Sequence, residues 1–481
     1  MKRITSVLLL LAGTALAGAA QAQVFVPGNL VVSVEGNGVE GATSGPYTDN
    51  QAAPLTLFQF SHNGTASATY QSALVLPQTA SGANHAISGE YGSSSEGGLQ
   101  LTGNGRDLVI AGYGVNAATF NADPGSFGGV AGNKALAQSA AADVPRVIAV
   151  IGANGSVNMT TALTNVFDQN NPRSVASYDG TSFYISGQGT GTDQTGGVFF
   201  ATLGANSATP ITGDDTMAKS SSKTDDATQD TRAVRIVDGQ LVVATDSKGG
   251  KNNARSYVGT VGTGLPTTDL NAGPTMLPGF GNTGGTGKET ISFATGNGVN
   301  VPTASSANVT VNLSPNDFFY ADANTLYVTD SGNPKNDSTV SSGTSIGDGG
   351  LQKWVRNPTT GVWSLEYTLA AGLDLVPNTD TSGTTGLLSL TGEVYNGQVE
   401  LFATSYTIGD TDPSFLFGIT DSLSATSGAG EKFTELAEAP ADSTFKGVAF
   451  APIPEPATWA LMLAGFGLAG ATLRRRRSAL A

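Results

Sequence analysis

One phrase recurs along this chain and limits what it can become: an apolar strand, a tight turn, then a second strand ending in small residues. It occupies residues 99–112 (LQLTGNGRDLVIAG), 173–187 (RSVASYDGTSFYISG), 232–246 (RAVRIVDGQLVVATD), 317–330 (DFFYADANTLYVTD) and 387–404 (LLSLTGEVYNGQVELFAT). The turns centre on Asn104-Gly105, Asp179-Gly180, Asp238-Gly239, Ala323-Asn324 and Asn396-Gly397. Gly and Asn tolerate the positive φ of type I′ hairpin turns, so each phrase predicts a β-hairpin. Taken at residues 105, 180, 239, 324 and 397, the turns are 75, 59, 85 and 73 residues apart.

A second, more polar strand pair lies between successive phrases. Examples are residues 55–76, 147–163 and 354–369, turning at Asn63-Gly64, Asn154-Gly155 and Thr360-Gly361. Each unit is then an inner hairpin followed by an outer one, four strands in all. Four-stranded units in series predict an all-β chain folded as a β-propeller. Residues 29–35 (NLVVSVE) carry only the second half of the phrase, and residues 445–452 (FKGVAFAP) only the first. Paired, they would complete one unit from both ends and hide two strand edges. That gives six blades, or seven if residues 290–313 form a degenerate one; two β-sandwiches or a β-solenoid are the competing folds. Outside the ends of the chain, only residues 133–143 (NKALAQSAAAD) predict a helix.

The ends read as addresses. Lys2 and Arg3 precede an apolar run and small residues that finish at Ala20-Gln21-Ala22. This is the layout of a secretory signal peptide cut by signal peptidase after Ala22, leaving Gln23 first. At the other end, Pro454-Glu455-Pro456 is followed by the uncharged stretch 457–473, with Trp459 near its start, and then by Arg474, Arg475, Arg476 and Arg477. As a helix that stretch would be about 26 Å long, just enough for a bilayer core, with the arginines holding its C-terminus in the cytoplasm. The organisation expected is a signal peptide at 1–22, a propeller body at 23–453 and a sorting segment with one transmembrane helix at 454–477.

Pro454-Glu455-Pro456-Ala457-Thr458-Trp459-Ala460, the apolar stretch and the arginine cluster together resemble the PEP-CTERM sorting signal in its PEPxxWA form. The resemblance is confined to this segment. It implies an exosortase-type transpeptidase as partner, a precursor anchored in the inner membrane, and a mature protein at the cell surface or outside a Gram-negative cell that makes exopolysaccharide.

Composition narrows the chemistry. With no Cys, disulfides, thiolate metal sites and cysteine nucleophiles are excluded; with only His62 and His85, so is a multi-histidine metal cage. Without the two sorting segments the formal charge goes from −15 to −20, which repels nucleic acid. Residues 343–347 match G-x-S-x-G, but lie in a Ser-Gly loop with both His earlier in the chain. Residues 36–41 match G-x-G-x-x-G with no helix to follow. The acidic clusters Asp214-Asp215, Asp225-Asp226 and Asp410-Thr411-Asp412 lack the spacing of a known calcium loop, so no cofactor is expected; a structural calcium has no motif behind it. Trp354, Trp363, Tyr367 and Tyr113 suit either a sugar-stacking face or packing between blades, with packing favoured. His62 and His85 are expected on surface loops.

The function expected is non-enzymatic: an exported surface or matrix scaffold that binds exopolysaccharide or another surface protein. The alternative is a secreted polysaccharide hydrolase or lyase with its site at the propeller channel. The placement of Asp143, Asp193, Asp246, Asp330 and Asp410 discriminates, because glycoside chemistry needs two facing carboxylates.

Overall fold

The computed structural model describes residues 25–37, 47–128, 134–190, 194–212, 230–246, 256–280, 289–292, 308–311, 313–332, 349–376, 380–409 and 411–454. Four sheets within it are four-stranded antiparallel meanders. They begin with Pro172–Ala176, Thr231–Val237, Pro315–Asp322 and Thr384–Tyr395. Each phrase supplies the first two strands of its meander and the following polar pair the last two, as the sequence predicts.

The remaining large sheet has nine strands. Ser443–Phe450 pairs with Leu30–Gly36, which pairs with Ala52–His62, which pairs with Ala68–Val75. That is one meander made from both ends of the chain. The second runs Gln100–Leu101, Asp107–Tyr113, Arg146–Gly152, Val157–Leu163. A three-residue strand, Ser88–Glu90, fuses the two by bonding to Ala52–His62 on one side and Asp107–Tyr113 on the other. The expected pairing of the chain ends is therefore present, in register from Leu30 opposite Phe450 to Gly36 opposite Ser443, with one bulge.

The first strands touch in a fixed succession: Gln100–Leu101, Pro172–Ala176, Thr231–Val237, Pro315–Asp322, Thr384–Tyr395, Ser443–Phe450, and back to Gln100–Leu101. Apolar clusters fill the gaps between consecutive sheets. Between the Thr231 and Pro315 sheets, Tyr257, Phe280, Phe318, Trp354 and Trp363 pack together, with Trp354 stacked 3.8 Å over Phe280. Between the Thr384 sheet and the meander made from both ends of the chain, Val32, Phe58, Phe402, Leu416 and Phe445 do the same. Area removed from water here is the main source of stability.

At four of the junctions a small polar residue in the second strand stitches one sheet to the next. Ser33 Oγ donates to Gly97 O at 2.5 Å, Ser186 Oγ to Arg232 O at 2.5 Å, Thr329 Oγ1 to Leu388 O at 3.3 Å, and Thr404 Oγ1 to Lys446 O. These hydroxyls are why the phrase ends in small residues: a buried backbone carbonyl needs a donor, and a larger side chain would hold the strands apart.

Several expectations are corrected. The type I′ turn, with positive φ at both central residues, forms at Asp238-Gly239 (49° and 77°) and Asn396-Gly397 (50° and 78°). At Asn104-Gly105 and Asp179-Gly180 only the glycine is left-handed, and Ala323-Asn324 uses neither. The helix expected at residues 133–143 is absent from residues 134–143, which fold as turns. Their backbone groups find tertiary partners instead: the buried Arg146 guanidinium donates to Ser139 O at 3.0 Å and to Ala137 O at 3.3 Å, while Asp168 Oδ1 accepts from Ala141 N at 2.7 Å. Among the described residues the α-helix is Ala117–Ala122, capped by Asn116 Oδ1 on Thr119 N at 2.9 Å. Within 290–313, the described strands Glu289–Ser292 and Asn308–Val311 make a two-stranded sheet.

No helix among the described residues is long and apolar enough to cross a membrane. The stretch 457–473, on which the transmembrane expectation rests, lies outside them, as do Ala20, Ala22, Gln23, Glu455, Pro456, Trp459, Arg474, Arg475, Arg476 and Arg477.

Candidate functional site at the hub

The first strands each bring residues to the centre of the succession. Arg173-Ser174, Arg232-Ala233, Asn316-Asp317, Leu388-Ser389 and, from Ser443–Phe450, Lys446, together with Leu99-Gln100, surround a cavity of about 30 Å³, also lined by Ser95 and Glu96. The centres of water molecules can range over that volume, so it holds a few of them. Close approach of the strands keeps it narrow. A Cβ on Gly447 would lie 2.1 Å from Leu99 N, and one on Gly386 2.2 Å from Asp330 O.

The cations at the hub are paired with carboxylates. Arg173 Nη1 bonds Asp230 Oδ1, its Nη2 bonds Gln188 Oε1 at 2.7 Å, and its Nε bonds Ser95 Oγ at 3.2 Å. Arg232 Nη2 reaches Asp246 Oδ2 at 3.2 Å, and its Nε lies 3.5 Å from Asp230. Burial, with Arg232 beside it, pulls the Arg173 pKa down, whereas Asp230 and Asp246 outweigh burial at Arg232 and raise it. Arg235 holds Asp317 through two bonds of 2.8 Å, and Asp317 also accepts from Ser389 Oγ at 3.1 Å.

Beside this network lies a buried carboxyl trio, Glu35, Glu90 and Glu96. Glu96 accepts from Tyr113 OH and Asn171 Nδ2; Glu90 accepts from Ala137 N. Glu35 has Lys446 Nζ 3.5 Å away, and neither of its oxygens takes a hydrogen bond. Desolvation raises all three: Glu35 is pushed up to about 8 against the pull of Lys446, Glu90 goes well above its ordinary value with Glu96 adding to the rise, and Glu96 rises despite Tyr113 and Asn171.

A stability consequence follows. A carboxyl that keeps its proton when folded but loses it when unfolded weakens the fold as pH rises from its unfolded pKa to its folded one. For Glu35 that window runs from about 4.5 to about 8, with at most about 1.4 kcal/mol lost per pH unit. Glu90, Glu96, Glu366, Glu431 and Asp442 are also raised and act in the same direction. The melting temperature is therefore expected to be higher at pH 5 than at pH 8. Glu35→Gln, which mimics the neutral acid, should shrink the difference. A melting temperature that is flat or rises over this range in the wild-type protein contradicts the reading.

Of the discriminating aspartates, the three that are described do not converge on an open site. Asp246 and Asp330 both hold the Ser314 segment: Ser314 Oγ donates to Asp246 Oδ2 at 2.7 Å and Ser314 N to Asp330 Oδ2 at 3.2 Å. Asp330 also accepts from Gln352 Nε2 and Gly332 N, both at 2.8 Å. Asp143 is exposed in the turns before Arg146. Asp193 and Asp410 lie outside the described residues, as do Asp214-Asp215, Asp225-Asp226 and residues 343–347. Asp412 secures its own loop by accepting from Gly409 N and Gly383 N. Among the described residues no cluster of acidic or histidine side chains is placed to hold a metal ion.

Trp354, Trp363, Tyr367 and Tyr113 are all buried, so they pack between sheets and offer no sugar-stacking face. His62 is half-buried at the end of its strand, with its ring nitrogens 3.2 Å from Gly64 O and 2.8 Å from Gly28 O. The hub residues Arg173, Arg232 and Lys446 were a missed signal. The phrases place a cation at the same point of three first strands, yet no single spacing marks it.

The described body is all-β, a propeller-like series of four-stranded antiparallel sheets around a charged hub. Residues 452–477 match the PEP-CTERM protein-sorting motif, which implies an exported protein with a membrane-anchored precursor processed by an exosortase-type system. No curated protein matches the chain. Among solved structures, it is similar to a chain of a nidogen/laminin complex at 10% identity and a TM-score of 0.40, covering 88% of this chain and 100% of that one. It is also similar to a Trypanosoma rangeli sialidase at 12% identity and a TM-score of 0.38, covering 82% and 54%. A third is the β-propeller domain of the Trilobed protease from Pyrococcus furiosus, at 7% identity and a TM-score of 0.25, covering 78% and 81%.

Proposed function

We propose that the body is a six-bladed β-propeller, closed by the strands from its two ends, acting at the cell surface or in the matrix as a non-enzymatic binding scaffold. The six-blade count is supported by dividing the nine-stranded sheet at Ser88–Glu90 into two four-stranded blades, and by the return of the first strands to their starting point. The scaffold reading rests on one observation: the carboxyl groups at the hub are already engaged, Asp230, Asp246 and Asp317 each by an arginine and Glu96 by Tyr113 and Asn171. A hydrolase or lyase needs an acid and a base free to trade protons with substrate. The ligand class is exopolysaccharide or another surface protein, met by the loops around the hub.

The test uses the mature protein released by the cells that make it. Mixed with their purified exopolysaccharide, it is expected to co-sediment with the polymer while polymer length and reducing-end count stay unchanged over days. Appearance of new reducing ends or unsaturated fragments, lost on boiling the protein, would overturn the scaffold reading in favour of an enzyme.

A further inference from the structure

Away from the hub, two neighbouring sheets meet at a buried lysine and a buried aspartate. Lys353 lies on Gly350–Arg356 and Asp421 on Phe415–Ser422, strands of different sheets. Their Nζ and Oδ2 are 3.0 Å apart and both side chains are fully enclosed, at 0% exposure. Tyr327 and Tyr367 donate their hydroxyls to Asp421 at 2.5 and 2.7 Å. Lys353 Nζ also donates to Ser422 O at 2.6 Å and to Ala425 O and Tyr367 OH at 3.0 Å. Around them pack Leu351, Leu369, Phe417, Ile419 and Phe433. A third titratable group completes the cluster. Half-buried Glu431 sits against Asp421, and burial together with the Asp421 charge and a hydrogen bond to it pushes its carboxyl up to about 7.

An enclosed ion pair is a weak device for stability, because desolvating two charges offsets much of their attraction. The same atoms are arranged for condensation. We propose that Lys353 and Asp421 join in an intramolecular amide, with Glu431 as the proton-transfer group, so that a covalent bond staples one sheet to the next.

The step balances without an oxidant or co-reactant. The Lys353 ammonium passes a proton to the Asp421 carboxylate, giving a neutral amine beside a neutral acid with no change of net charge. Nζ attacks the Asp421 carboxyl carbon: the N–C bond forms, and the C=O electron pair moves onto oxygen, held by the Tyr327 and Tyr367 hydroxyls. Glu431 gives its proton to the departing hydroxyl and its carboxylate recovers one from nitrogen. The C–OH bond breaks and one water leaves, with Glu431 again an acid. The partners are already held in contact, Nζ 3.0 Å from Oδ2, which supplies the positioning that a bimolecular condensation lacks. Two further facts fit. The chain has no Cys, so an exported body has no disulfide with which to brace itself. The enclosing aromatic and aliphatic side chains also keep out the water that would reverse the bond.

Mass spectrometry of the denatured mature protein tests it. The wild-type chain is expected to be lighter than its sequence by one water, and a tryptic digest should contain one branched peptide joining Lys353 to Asp421. Glu431→Gln is expected to slow the joining by about 10²-fold or more while leaving the circular dichroism spectrum unchanged. Asp421→Ala should have the full sequence mass. A folded wild-type protein at full sequence mass overturns the proposal. So does a water loss that maps to Asp179-Gly180 or Asp238-Gly239, where a succinimide would form instead.

Discussion

Removing residues 443–450 is expected to abolish the cooperative thermal transition of the whole body, although only one strand is lost. That strand is the first of a meander whose other three come from the far end of the chain. Without it, Leu30–Gly36 exposes a row of unpaired backbone groups, and Phe445 and Val448 leave the cluster they share with Val32, Phe58 and Phe402. Three stitches go with it. Thr404 loses the Lys446 carbonyl, Ser33 loses the Gly447 amide that donates to its Oγ at 2.7 Å, and Glu35 loses its only described ion-pair partner. A domain is stable by only about 5–15 kcal/mol, and these losses together are of that order. A subtler variant reaches the same joint. Gly447→Val would drive a side chain into Leu99 N and Gly97 O, backbone atoms that cannot turn aside, at about 1–3 kcal/mol or more. Both variants are read by thermal melts and limited proteolysis of the released protein. If the deletion melts as sharply and as high as the wild type, the joining of the two ends is not what holds the body together.

The clasp was legible because it was written in the same phrase as the rest. Residues 29–35 and 445–452 each carry half of an inner hairpin, and inner strands buried on both faces repeat the same apolar-and-small wording closely enough for the halves to be matched. The hub was harder to see. Arg173, Arg232 and Lys446 occupy equivalent places in three first strands, but their partners Asp230, Asp246 and Glu35 stand at unrelated spacings, because each is delivered by a different strand or loop. Charge pairing between different sheets depends on how the sheets come together, which no local window contains. The same holds for residues 134–143. Alanine content favours a helix there, yet Arg146 and Asp168 claim the backbone groups that a helix would have used on itself. Ser88–Glu90 could not be foreseen either, since a strand of three residues is too short for an alternating pattern.

Replacing Pro454 and Glu455 with Ala is expected to stop maturation outright while leaving the body folded, and the structure gives the reason the two are separable. The body holds the chain up to the motif: Ala451 N donates to Asn29 O and Ile453 N to Gly105 O, both at 2.8 Å, and Pro454 follows at once. Strand pairing ends at Phe450, so a cut within or after the Pro454-Glu455-Pro456 triplet removes none of it. Proline at 454 and 456 fixes φ and biases the residue before each toward an extended backbone, the form in which a peptide fits a transpeptidase cleft. Beyond it, the uncharged stretch 457–473 is rich in Gly and Ala, a marginal anchor that suits a segment destined to be removed, and Arg474–Arg477 orient it. Wild-type cells should therefore contain a longer membrane-bound form and a shorter form without the stretch. The double variant should show only the longer form, in the membrane fraction, with a protease-resistant body of unchanged size. Immunoblots of membrane and released fractions read both forms directly. Release of the variant at the wild-type rate would mean that the triplet is not the processing determinant and that 457–473 acts as an ordinary anchor.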